Sequence, residues 1–285
     1  PLTHTTDGHD VLDLPGGASN VTHGEGVRRG IGYAVGIKNI GFSEGFDDYS
    51  TARARIQIVN GEPVVEIHTA AAEVGQGLVT LKGQIARTEL GVQRVVVHVS
   101  DTQVGSAGST SASRQSYVTG GAVQTACKAL RDDILLLAME KLGHLHPHLL
   151  HFRSQYRLVD GEIRDGEGHL VTSLADLLKD KTLEATREYR HRPTTPIDPI
   201  TGQGLPHAQF SFAGHRAVVD VDTETGLIKV VEMAIVQDVG KAMNPQAVEG
   251  QLEGGSAQGL GLAVLEEIQV VDGKVKNPSF TDYLI

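Results

Sequence analysis

Three stretches of the chain pair glycine, which exposes backbone, with polar side chains able to hold a small anionic ligand. The first is Glu73-Val74-Gly75-Gln76-Gly77. It stands where a strand-like segment gives way to Leu78, Leu81 and Ile85 at helical spacing, so it reads as a strand-to-helix junction. Free N–H groups and the helix dipole favour an anion there. Gly75 and Gly77 let a ligand approach the main chain, and the Gln76 carboxamide can donate and accept hydrogen bonds at once. A tight turn would account for the glycines equally well. No GxGxxG or GxxxxGK[ST] pattern occurs, which excludes the dinucleotide fingerprint and the P-loop. Gly202-Gln203-Gly204 repeats the letters in a Pro-rich loop with no strand before it, and reads as a loop alone.

The second stretch runs from Gly105 to Gln115 and is the most informative. Ser106, Ser109, Thr110, Ser111 and Ser113 stand among small residues, with Arg114 and Gln115 at the end, just before a long helix. Hydroxyls can meet phosphate oxygens, small residues leave N–H groups open, and Arg matches phosphate with a two-pronged fork. A flexible linker would not need the Arg-Gln pair, so binding is the favoured reading. No G-x-S-x-G elbow is present, which argues against a serine nucleophile. The third stretch, Gln251 to Gly261, places Gly254, Gly255, Gly259 and Gly261 inside a predicted helix, at about 1 kcal/mol each relative to alanine. Such a helix is expected to pack very closely on another element or a ligand, with Gln251 and Gln258 unexplained by packing.

Other polar clusters carry less. His144, His146, His148 and His151 surround Pro147 without a neighbouring carboxylate or cysteine, so surface histidines are preferred to a metal site. Arg131-Asp132-Asp133 reads as a solvated helix face. Glu266-Glu267 lacks a partner acid and is rejected as a catalytic carboxylate.

The elements that must position these stretches follow from periodicity. Ala52, Ala54, Ile56 and Ile58 alternate with polar residues, Asn60-Gly61 supplies a type I′ turn, and Val64–Thr69 returns as a second strand. Helices are predicted from Leu78 to about Leu90 and over Tyr117–Leu142, with a short strand at Val95–Val99 between them. The order recurs later. Ala217–Val221 and Leu227–Val236 form a hairpin through Thr225-Gly226, ending at Asp238-Val239-Gly240. Asn244-Pro245 then starts a helix over Gln246–Ala263. The expected fold is α+β, two related hairpin–helix units forming two-layer α/β sandwiches. The expected divisions are a poorly ordered lead-in at 1–26, a first unit at 27–142, an insertion or connector at 143–207, and a second unit at 208–285. Within the insertion, Ser173-Leu174-Ala175-Asp176 starts a short capped helix.

Composition narrows the function classes. With 25 Lys and Arg against 35 Asp and Glu, the formal charge is −10, which argues against a nucleic-acid partner. Cys127 is the one cysteine among 285 residues, so a disulfide framework, a four-thiolate zinc and a chain-held iron–sulfur cluster are all excluded. It fits a reducing, cytoplasmic compartment. No apolar run reaches the ~18 residues of a membrane helix. Glycine is plentiful at 34 and tryptophan absent, which suits ligand contact by backbone rather than by ring stacking.

Taken together, Glu73–Gly77, Thr110–Arg114, Gly250–Gly254 with Gln258–Gly261, and Asp238–Pro245 resemble the molybdenum-binding subunit of the xanthine dehydrogenase and aldehyde oxidase family. The similarity runs from about Gly26 to Ile285 and is weakest across 143–207. It implies a hydroxylase of purines, other N-heterocycles or aldehydes that takes its oxygen from water. Its cofactor would be molybdopterin with molybdenum, in bacteria often the cytosine dinucleotide form, and its electrons would leave through iron–sulfur clusters and FAD on other domains or subunits. By motif matching, Gly75, Gln76 and Gly77 lie beside the metal centre or the pterin. Ser109 belongs to the same loop, Thr110 approaches the metal through its backbone, and Ser111 and Ser113 bond the pterin or its phosphates. Arg114 and Gln115 continue that cradle, and Gln251 contacts the dithiolene–pterin region. The family's catalytic glutamate lies in a Gly-Glu-Pro-Pro-like motif expected beyond Ile285, so this chain is expected to hold cofactor without a catalytic residue of its own and to show no turnover alone. Missing segments of the same subunit, the redox subunits and a small substrate would be its partners, with no nucleic acid and no membrane. The rival readings are a non-catalytic assembly module and a phosphate-binding enzyme of another class.

Overall fold

The computed structural model describes residues 26–142 and 155–283, which divide into two compact units. The larger unit spans 39–210. Its framework is a four-stranded sheet of order β4-β3-β2-β8, formed by β2 (Tyr49–Val59), β3 (Glu62–Thr69), β4 (Arg94–His98) and β8 (Leu183–Arg190). Alternation decides which face is covered. Ala52, Ala54, Ile56, Val65 and Ile67 are buried, while Arg53, Arg55, Glu66 and His68 lie on the opposite face. Asn60 and Gly61 both take positive φ, as the tight β2–β3 turn requires. Helix α1 (Leu78–Leu90) connects β3 to the parallel strand β4, and α2 (Gln115–Leu142) packs on α1, β2 and β8. Leu81, Ile85, Val123, Ala126 and Leu130 join the inward side chains of the sheet in one core.

A small antiparallel sheet of β5 (Arg157–Val159), β6 (Glu162–Arg164) and β7 (Leu170–Ser173) leads into α3 (Leu174–Leu178). Ser173 caps α3 by accepting the Asp176 N–H at 3.0 Å. Ile163, Leu174, Leu177 and Leu178 enter the same core. This corrects the reading of 143–207 as an insertion: residues 157–190 supply core side chains, and the whole of β8 pairs with β2 from Tyr49 to Ile56.

The other unit holds residues 26–38 and 211–283. The long strands β1 (Val27–Ser43) and β9 (His207–Asp222) carry the chain across the division, and with β10 (Ile228–Asp238) they form a sheet of order β1-β9-β10. The first strand therefore belongs with the second hairpin, contrary to the division expected at 27–142. Arg29 grips the buried Asp220 with two hydrogen bonds of 2.8 and 3.2 Å, fixing β1 on β9. After β10 and the 238–240 turn, Asn244 accepts the Ala247 N–H at 3.1 Å and Pro245 opens α4 (Pro245–Val264). A short hairpin, β11 (Val270–Val271) with β12 (Lys274–Val275), follows. Each unit thus runs from an antiparallel hairpin through an acidic-Val-Gly turn into a helix.

Candidate functional site

In the larger unit, the turn after β3 and the long loop before α2 come together. The Thr110 hydroxyl donates to the Ala72 carbonyl at 3.1 Å, tying the Ser-rich loop to the Gly-Gln-Gly turn. The main chain of the turn is bent by Gly75 at φ 100° and Gly77 at φ 81°, both left-handed. A Cβ at Gly75 would meet nothing within 4 Å, so the turn borders open space.

The N–H groups expected to greet an external anion have an internal one. Glu73 Oε1 accepts from Gly75 N at 2.9 Å and Gly77 N at 3.1 Å, and Oε2 accepts from Val79 N at 2.8 Å. Burial alone would raise the Glu73 pKa, but the backbone donors of Val79, Gly77, Gly75 and Leu78 outweigh it and hold the carboxyl below its ordinary value. The N–H groups expected to be free at this junction are thus engaged by Glu73 at Gly75 and Gly77. Gln76 closes the same turn, its Oε1 accepting from Val74 N at 2.6 Å and its Nε2 donating to the Ala72 carbonyl at 3.1 Å. Beneath the turn lies the fully buried Lys82, which donates to Thr69 Oγ1 at 2.7 Å. Burial pushes its ammonium down to about 8 even though Glu73 pulls the other way.

Arg114 and Gln115 also lie otherwise than expected. Arg114 is wholly buried. Its Nε donates to both Asp48 oxygens at 2.8 and 2.9 Å, one terminal nitrogen to Asp48 and the Tyr49 carbonyl, the other to the Ala107 and Ser109 carbonyls. Every prong of the fork is engaged, so Arg114 braces the loop from below instead of facing a ligand. Gln115 does likewise, donating to the Ser109 carbonyl at 3.0 Å and accepting from the Thr119 hydroxyl. Asp48, Glu73 and Lys82 are not recognisable as a set of partners in the sequence. Only Glu73 left a signal, an acid two and four residues ahead of Gly75 and Gly77.

The loop's outward side is hydroxylic. Ser109 and Ser111 are exposed with their oxygens 2.6 Å apart, Ser113 is exposed beside them, and Ala112 and Ser113 both adopt positive φ. This strained pair turns the chain sharply between the open hydroxyls and the buried Arg114. Gln251 stands on α4 in the other unit, exposed. No residue of α4 is buried, and a Cβ at Gly250, Gly254, Gly255 or Gly259 would meet nothing. The close packing expected of that glycine stripe is absent among the described residues, because no element of the unit lies on it. His144, His146, His148 and His151 fall outside the described residues. Cys127 is buried in α2 and its thiol is pushed up to about 12, chiefly by burial, which makes it inert as a nucleophile. No described helix is long and apolar enough to cross a membrane.

Comparison with known proteins agrees with this architecture. The family model described as "Molybdopterin cofactor-binding domain" matches residues 16–285. The chain is 28% identical over 264 residues to a protein of Bacillus subtilis described as a probable xanthine dehydrogenase subunit, covering 91% of this chain and 33% of that protein. It is 31% identical over 252 residues to a xanthine dehydrogenase of Oryza sativa, covering 87% of this chain and 16% of the other. Among solved structures, quinoline 2-oxidoreductase from Pseudomonas putida 86 superposes with a TM-score of 0.72 at 26% identity, over 91% of this chain and 33% of that one. The chain thus spans a third or less of the length of these relatives.

Proposed function

Because this chain belongs to the molybdopterin cofactor-binding domain family, we propose that it forms one wall of the cofactor site of a xanthine dehydrogenase-like hydroxylase. The substrate class is purines, other N-heterocycles or aldehydes. The observation that carries the reading is the bond from Thr110 to the Ala72 carbonyl, which sets an exposed hydroxyl loop against a glycine turn that borders open space.

The donor set fits the group. Ser109, Ser111 and Ser113 offer hydroxyls, while the Gln76 carboxamide and the one carboxylate within the turn, Glu73, are engaged by backbone groups. Such a surface holds a pterin and its phosphates by hydrogen bonds and leaves metal ligation to the cofactor's own sulfurs. When bound, the cofactor supplies the redox-active metal and the oxygen-transfer chemistry. The chain's residues bind and orient it. Ser109 and Ser111 meet its polar edge, Gln76 and Gly75 border the pterin, and Arg114 with Gln115 keep the hydroxyls in place from behind. Gln251, exposed on α4, is a cofactor contact on motif matching alone. The cytosine dinucleotide form, iron–sulfur and FAD partners and a cytoplasmic location belong to the same proposal. Exposed Leu262 and Leu265 on and after α4, at 66% and 54%, suit packing against further segments of the same subunit.

The test is elemental and chemical analysis of the protein isolated from its own host. Near-stoichiometric molybdenum and a cytidine nucleotide released by acid are expected, with molybdenum reduced in a Ser109→Ala, Ser111→Ala double variant. Metal-free, pterin-free protein from a host whose other molybdenum enzymes are loaded would overturn the proposal.

A further inference from the structure

The sheet face turned away from α1 and α2 carries a second constellation, separate from the loops. Glu66 and His68 project from β3, and His98 projects from β4, where it pairs with His68 in the parallel register. The two imidazoles stack with centroids 4.2 Å apart and planes 9° from parallel, so exposed His98 has to turn out of the stack to share an ion with His68. One ligand-type atom from each of Glu66, His68 and His98 lies within 4.8 Å of the other two. His68 Nδ1 is 2.8 Å from Asp101 Oδ2, the orienting carboxylate contact typical of metal-binding histidines. The opposite nitrogen, His68 Nε2, is sealed from solvent without a hydrogen-bond partner, and Glu66 Oε2 stands 3.6 Å away, beyond hydrogen-bond range. Such a buried nitrogen is costly to leave bare, and a metal ion would satisfy it.

We propose that Glu66, His68 and His98 form a binding site for a divalent transition metal of the zinc class, with Asp101 as the positioning residue. Two imidazole nitrogens and a carboxylate oxygen are a borderline-soft set, and exposed His98 leaves a fourth position open to water. The surrounding charge sharpens the choice of ion. Arg55 lies 3.7 Å from Glu66 and Arg53 lies 3.4 Å from Asp101, so the two carboxylates are already balanced by two guanidinium groups. A cation held by charge alone gains little there, which disfavours Ca²⁺ and Mg²⁺ and leaves an ion that bonds to imidazole. Asp101 also donates its N–H to the Thr69 carbonyl at 2.9 Å and accepts the Gln103 N–H at 3.0 Å. A bound ion would therefore tie the edge strand β4 to the start of the hydroxyl loop.

The test uses the full chain carrying H144N, H146N, H148N and H151N, which removes a competing run of imidazoles. Titration with Co²⁺ is followed by its visible d–d absorption, with Zn²⁺ as competitor and Ca²⁺ and Mg²⁺ as controls. One equivalent of Co²⁺ is expected to bind, displaced by Zn²⁺ and untouched by the controls. D101N should weaken binding about 10–100-fold, the usual effect of an outer-shell partner, and H98N and E66Q by more than that. His98 is exposed, so circular dichroism should report an unchanged fold in H98N. Absence of Co²⁺ uptake, or unchanged affinity in either H98N or E66Q, overturns the proposal.

Discussion

The buried Asp48–Arg114 pair offers the sharpest test of how the candidate site is held. Arg114 and Asp48 side chains are 0% and 2% exposed, and they are 66 positions apart in sequence. Replacing Arg114 by methionine keeps most of the volume but strands a carboxylate and removes the donors to the Tyr49, Ala107 and Ser109 carbonyls. Breaking one side of a buried pair costs about 3–5 kcal/mol. At about 2–4 °C per kcal/mol for a unit of this size, R114M should melt about 6–20 °C lower. The double variant D48L/R114M removes both charges and should recover a large part of the loss. Scanning calorimetry of the full chain reads both numbers. A melting temperature for R114M within about 2 °C of the parent, or a double variant no more stable than R114M, would refute the assignment of Arg114 as the brace of the loop.

Other consequences follow from neighbouring groups. E73Q should lose about 0.5–2 kcal/mol through weaker capping of α1. Because the folded Glu73 pKa lies below the ordinary 4.5, that advantage of the parent is complete above 4.5 and fades as pH falls through the lowered value; urea melts at descending pH check this, and a gap that persists in strong acid would contradict it. The Lys82 pKa is lowered too, from 10.5 to about 8, but for a cation that disfavours the charged form. The unfolded chain binds the extra proton between those values, so the parent should gain stability relative to K82M as pH rises from 8 to 10.5, and a flat difference would count against a buried ammonium. Gly91 ends α1 at φ 58°, and a Cβ there would collide with the Leu158 carbonyl, so G91A should cost about 1–2 kcal/mol or more in a denaturant titration. By contrast G254A and G255A fill open space and should stabilise the full chain by up to about 1 kcal/mol each.

The parts of the fold legible in the sequence are those set by local rules. Alternation marked β2, a positive-φ Asn-Gly pair marked its turn, and apolar spacing marked α1 and α2 to within two residues. What was not legible depends on pairing across long separations. Nothing near Leu183–Arg190 announces that it borders Tyr49–Ile56, and nothing near Val27 announces that its partner is β9. At the candidate site the residue types were recognisable, but their direction was not. Ser109 and Ser111 look outward while Arg114 and Gln115 look inward, and the reversal is made by two left-handed residues, Ala112 and Ser113, that carry no glycine signal. The meeting of His68 with His98 was hidden in the same way, since parallel register leaves no mark in either strand alone.

Helix α4 has no buried side chain, and Gly250, Gly254, Gly255, Gly259 and Gly261 lie within its span. Its caps are sound, yet a twenty-residue helix so rich in glycine draws little from intrinsic propensity. Such a segment opens readily unless something covers it, and an opened segment is what a protease cuts. Limited proteolysis of the chain should therefore cut first within residues 245–264, and whatever covers that helix should protect it.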